Sequence, residues 1–122
     1  MKYPEFLPEN GAIGFVAPSF GCSIEPYHTA FLNAQKKFTA MGHGLELGPN
    51  CYASEGIGIS STPEACGAEL TEYYCSDKND ILISCGGGEL MCEILDKVDF
   101  DRIRAAKPKW YMGFSDNTNM TF

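Results

Sequence analysis

Two stretches of this 122-residue chain carry residue types that can do chemistry. The first is residues 110–122, WYMGFSDNTNMTF, in which Ser115 stands where a short apolar strand meets the start of a helix. A serine on so sharp a turn has an exposed hydroxyl, and the free N–H groups of the helix start face the atom it attacks. The N–H of the following residue, Asp116, is then a candidate donor to a developing oxyanion. The local pattern is G-F-S-D-N, which departs from the G-x-S-x-G elbow because Asn117 replaces the second glycine. On spacing alone, Ser115 and Asp116 serve as readily to cap a helix.

The second stretch is Cys85-Gly86-Gly87-Gly88-Glu89, directly after an apolar run. Three glycines let the backbone approach a ligand closely and present its N–H groups. Met91 stands where a dinucleotide fingerprint needs glycine, and no G-K-S/T follows, so neither that fingerprint nor a P-loop is present. Either a tight strand-to-helix turn or an oxyanion-donating, substrate-cradling loop fits the triplet.

A serine nucleophile needs a base. His43 lies in a turn entering a strand, which puts it at the opposite end of a parallel sheet from Ser115. His28 opens the first helix, and nothing in its spacing marks it. Both read as structural or exposed, so the chain offers a nucleophile and oxyanion donors without a base. The six cysteines form no C-x-x-C pair, and neither histidine lies near a cysteine pair, which leaves a metal site without support. No cofactor is expected.

The elements that must position these residues follow from periodicity. Ala12–Val16 (AIGFV), Gly44–Leu47 (GLEL), residues 80–84 (DILIS) and residues 110–113 (WYMG) read as buried strands. Between them lie helical patterns. The first has Tyr27, Ala30, Phe31, Ala34, Phe38 and Met41 on one face and ends at Gly42. The second starts at Thr62-Pro63-Glu64 and turns Leu70, Tyr73 and Tyr74 inward. A short helix over residues 90–97 and another, capped by Asp99, follow, and residues 117–122 open a last one. The expected fold class is therefore α/β: three layers, a mostly parallel sheet flanked by helices, of flavodoxin- or Rossmann-like kind. Ligands of such sheets bind beyond the carboxyl ends of the strands. There residues 18–21, 86–89 and 113–117 converge, which makes Ser19, Gly86 and Gly88 candidate substrate contacts.

Composition sets outer bounds. Hydrophobic residues make up 44% and charged residues 20%, as in an ordinary globular domain. The net charge of −7 disfavours a nucleic-acid partner, which needs a basic footprint. No apolar stretch is long enough for a membrane span, and the N-terminus has no secretory pattern. The expected setting is cytoplasmic, with reduced and mostly buried thiols.

Taken together, Ala17-Pro18-Ser19, residues 81–89 (ILISCGGGE), Ile94-Leu95-Asp96, residues 98–101 (VDFD), Pro108-Lys109 and residues 112–118 (MGFSDNT) resemble the N-terminal domain of LD-carboxypeptidases. That family includes the microcin C self-immunity peptidases. The resemblance covers essentially the whole chain. It implies a serine peptidase with a Ser-Glu-His triad whose serine is Ser115. The implied oxyanion hole uses the backbone of Asp116 and of Gly87, with Gly86 as the neighbouring alternative. The glutamate and histidine would come from a C-terminal domain, so residues 1–122 are expected to be the nucleophile-bearing part alone and inactive in isolation. The implied substrate is a small peptide: a murein tetrapeptide losing its terminal D-alanine, or a peptidyl-nucleotide in the microcin-type branch. A homodimer is implied for the full-length form. Two departures bear on substrate: Cys85 stands where many members have arginine before the glycine turn, and Ala65-Cys66-Gly67 stands where many have arginine near a helix start.

Overall fold

The computed structural model describes residues 2–121. Four strands form one parallel sheet in the order β2-β1-β3-β4: β1 Ala12–Val16, β2 Gly44–Leu47, β3 Ile81–Ser84 and β4 Trp110–Met112. The crossovers are α1 (Tyr27–Ala40), α2 (Pro63–Cys75) and a pair made of a 3-10 turn (Met91–Lys97) and α3 (Phe100–Ala105). The expected α/β class and its parallel sheet are what the chain adopts.

Alternation along β1 makes the layers. Ile13 and Phe15 point to one face, where the Phe15 ring meets Phe31 and Phe38 of α1 at centroid distances of 5.2 and 6.0 Å. Val16 of β1 and Leu82 of β3 point to the other face, against Cys66 and Leu70 of α2 and Met91 and Ile94 of the 3-10 turn. Burial of these side chains, each stabilising by about 1.5–3 kcal/mol, is what fixes the strand register. Local signals set the helix ends. The Thr62 side chain accepts the Ala65 N–H with Pro63 at the first turn, Asp99 accepts the Arg102 N–H, and Gly42 leaves α1 at a φ of +92°.

Three expectations change. The apolar face of α1 is narrower than its spacing implies, because Tyr27 and Met41 are exposed. Tyr27 is the first residue of the helix and overhangs the strand ends, and Met41 lies past its last turn. Residues 90–97 wind as a 3-10 turn rather than an α-helix, held at its start by a carboxylate from a distant segment, described below. The helix expected over residues 117–122 begins as a 3-10 turn, Ser115–Asn117, followed by α4 (Thr118–Thr121), and its last residue, Phe122, lies outside the described residues. All six cysteines are free thiols, with Cys22, Cys51 and Cys66 buried. No helix among the described residues is long and apolar enough to cross a membrane.

Candidate functional site

Beyond the carboxyl ends of β1, β3 and β4 lies a cavity of about 460 Å³. Its floor is the glycine turn, Gly86 to Gly88, and Ser115 stands at its side. The apolar wall comes from Phe20, Cys22, Tyr27, Ile57 and Phe114. Sequence order separates these pieces widely. The sheet brings them together because β1 and β3 are neighbours whose crossovers lead to opposite faces, which opens a crevice at their ends.

Ser115 has a φ of +58°, in the left-handed region that a non-glycine residue occupies at a cost of about 1–3 kcal/mol. It is exposed, and it is the first residue of the 3-10 turn rather than its cap. An N-cap serine has extended backbone and accepts an N–H with its hydroxyl. Here the cap position belongs to Phe114, with no side-chain cap bond. The capping alternative is therefore not what these residues do.

Side chains hold the strained turn in place. The fully buried Asn117 donates its amide to the carbonyls of Gly86 (2.9 Å) and Phe114 (3.2 Å) and accepts the Tyr111 hydroxyl at 2.6 Å. The elbow and the glycine turn are thereby one unit. Asp116 binds them to the β1 exit: its Oδ2 accepts the Ser19 hydroxyl at 2.5 Å and the Met91 N–H at 2.8 Å. This bond from Asp116 is the distant carboxylate that starts the 3-10 turn. Burial pushes the Tyr111 phenol up from its ordinary range, so it remains a neutral donor to Asn117.

Deeper in, Glu69 of α2 is buried and accepts the N–H groups of Ala17 (2.8 Å) and Asn50 (3.0 Å). Desolvation outweighs those two amide donors and raises its carboxyl to about 7. Ser60 donates its hydroxyl to the Ala17 carbonyl at 2.5 Å. Buried polar side chains are costly unless paired. Six of them (Ser19, Asn50, Ser60, Glu69, Ser84 and Asn117) gather at this end of the sheet, all with partners.

The expected site residues are thus brought together, with one correction. Ser19 was expected to meet substrate, but its hydroxyl is fully buried and bonded to Asp116, so it positions rather than contacts. Gly86, Gly87 and Gly88 line the cavity. A β-carbon on Gly87 would stand 3.1 Å from the Ser115 Cβ and 3.4 Å from its Oγ, so only glycine admits the serine this closely. Among the described residues, the N–H groups of Gly87 and Asp116 donate to no protein acceptor. The same is true of few backbone groups near a packed sheet, and two such donors beside an exposed hydroxyl can stabilise a negative oxygen.

Neither histidine lines the cavity. His43 Nδ1 lies 3.0 Å from the Gly11 carbonyl, at the amino end of β1, and His28 packs on Tyr52. Lys109 of the Pro-Lys pair is also remote. It is buried at the amino end of β4, donating to Asn79 Oδ1 (2.6 Å) and the Ser76 carbonyl (2.8 Å), and its burial lowers its pKa. Among the described residues no group of His, Cys, Asp and Glu is arranged to hold a metal ion. Asn117, Tyr111, Glu69 and the Asp116 side chain are the positioning residues that sequence reasoning missed.

Comparison with known proteins agrees with this fold. The model of the LD-carboxypeptidase N-terminal domain family matches residues 13–122. No curated protein matches significantly. Among solved structures, the microcin C7 self-immunity protein in complex with adenosine monophosphate superposes with a TM-score of 0.87 at 23% identity, over 97% of this chain and 34% of that one. An MccF-like protein from Bacillus anthracis str. Ames gives 0.84 at 23% identity, over 97% and 35%. The muramoyltetrapeptide carboxypeptidase of Oxalobacter formigenes gives 0.68 at 19% identity, over 88% and 34%. At these identities the likeness is one of fold, and the chain spans about a third of the length of each solved structure.

Proposed function

The chain belongs to the LD-carboxypeptidase family, whose N-terminal domain it carries, and from that premise we propose that it is the nucleophile-bearing domain of a serine peptidase. Ser115 Oγ attacks the scissile carbonyl, and the N–H groups of Asp116 and Gly87 (or its neighbour Gly86) receive the oxyanion. An acyl-enzyme forms at Ser115 and water releases it. The observation that carries this reading is the left-handed Ser115 at the cavity side, a strained conformation that a helix cap does not need. The proton acceptor is a histidine oriented by a glutamate, both outside these 122 residues. By themselves these residues are then a placed but unactivated hydroxyl, without significant carboxypeptidase activity.

The substrate class proposed is the murein tetrapeptide, cut at the L-to-D amide that frees its terminal D-alanine, in the cytoplasm and by a homodimer in the full-length form. A second substrate, the amide of a peptidyl-nucleotide, is favoured by Cys85, which stands where many members have arginine. In the longer polypeptide that supplies the triad partners, a labelled fluorophosphonate should modify Ser115 and lose its target in Ser115→Ala. Wild-type turnover in that variant would overturn the assignment. Release of D-alanine by the 122-residue chain alone would overturn the missing-base part of it.

A further inference from the structure

The wall of the cavity carries one carboxylate and no lysine, arginine or histidine among the described residues. The carboxylate is Glu89, immediately after the glycine turn. It is exposed and takes part in none of the ion pairs or side-chain hydrogen bonds of the described residues. Its Cβ faces Gly58 across the mouth. The remaining wall is neutral: hydrogen bonding with Cys85, and then burial, hold the Cys22 thiol far above its ordinary range. Tyr27 and Phe114 leave 56% and 71% of their surfaces free, and both line the cavity.

A carboxylate unpaired among the described residues and two free aromatic rings line one cavity, a combination that suits a cation. The carboxylate supplies charge, and the ring faces attract an ammonium within about 6 Å of their centres. The chain's net charge of −7 adds a long-range field of the same sign. A substrate carboxylate, by contrast, finds no cationic partner on this wall. We propose that the cavity beside Ser115 selects substrates bearing a protonated amine, held by the Glu89 carboxylate and the rings of Tyr27 and Phe114. This rests on reading the cavity as the substrate site, and it assigns any terminal carboxylate of the substrate to residues outside these 122.

The test is binding to the chain itself, followed through the amide resonances of residues 86–89. The probes are N-acetyl-L-Ala-L-Lys-D-Ala, whose one protonated amine is that of the lysine, and the same peptide acetylated on the lysine as well. The free amine should bind about fivefold tighter or more, an advantage that shrinks with added salt. Glu89→Gln should remove that advantage and leave the doubly acetylated peptide unaffected, whereas Ser115→Ala should keep it. Equal affinities, an advantage retained in Glu89→Gln, or no shift at residues 86–89 with either peptide at millimolar concentration would overturn the proposal. Because no step depends on acylation, these outcomes are separate from fluorophosphonate labelling of Ser115. Loss of labelling with the amine preference intact would sink the nucleophile assignment alone.

Discussion

A methyl group on Gly87 would come to 3.1 Å from the Cβ of Ser115, closer than most carbon contacts in folded chains. Gly87 and Ser115 are thus in contact through backbone and Cβ. Gly87→Ala should push the serine off its position. In a longer polypeptide that supplies the triad partners we expect the fluorophosphonate labelling rate to fall about a hundredfold, because the serine is displaced from the Gly87 N–H. The chain's urea stability should change by about 1–3 kcal/mol, the usual range for overpacking. An unchanged labelling rate would show that the close approach of Gly87 does not set the position of Ser115.

Strain at Ser115 is separable from its hydroxyl. Ser115→Gly relieves the left-handed backbone, whereas Ser115→Ala retains it and removes only the Oγ. Chemical melts of the two variants should differ by about 1 kcal/mol in favour of glycine, after the entropy glycine adds to the unfolded chain. Equal midpoints would mean that the positive φ stores no energy.

Asp116 and Ser19 couple two crossovers through one bond of 2.5 Å. Asp116→Ala leaves the buried Ser19 hydroxyl and the Met91 N–H without an acceptor and should cost about 2–3 kcal/mol. Ser19→Ala should cost about 1–2 kcal/mol. In a double-mutant cycle the pair should show a coupling of about 1 kcal/mol or more. Strict additivity would refute the link.

Glu69 gives stability a pH dependence of unusual sign for a carboxylate. Its folded-state pKa is raised from an ordinary 4.5 to about 7, so the folded chain keeps a proton that the unfolded chain gives up. Stability from this group is complete below about pH 4.5. It falls as pH rises through about 7, by on the order of 3 kcal/mol in all. Urea melts should therefore show a loss between pH 5 and pH 8 that Glu69→Gln largely abolishes. The same substitution should lower stability at pH 5 by about 1–3 kcal/mol, because one of the Ala17 and Asn50 N–H groups loses its acceptor.

Much of this organisation was legible in the amino-acid order because it rests on local signals. Apolar runs such as AIGFV and ILIS mark buried strands. Thr62-Pro63 and Asp99 mark helix starts, and a serine after a strand marks an elbow. What escaped depends on contacts between segments far apart in the chain. Nothing local in residues 91–97 favours a 3-10 turn, because its first N–H is taken by Asp116, 25 residues later. Asn117 looked like an ordinary helix residue, and its amide bridges to Gly86 only once β3 and β4 lie side by side. Lys109, in one of the stretches that carry the family resemblance, ties the far end of the sheet.

The strand that delivers Ser115 is one of the two edge strands and the shortest of the four, three residues paired on one side only among the described residues. Edge ladders are where native structure opens first, while a central strand such as β1 exchanges its amides last. The turn that carries Ser115 is therefore moored to an edge of the sheet. Its order depends on Asn117 and Asp116, which stitch it to the interior from the other side. Warming should fray β4 and release Ser115 from its left-handed turn while the rest of the fold is still standing, so that loss of the elbow's geometry and loss of the fold occur as two events.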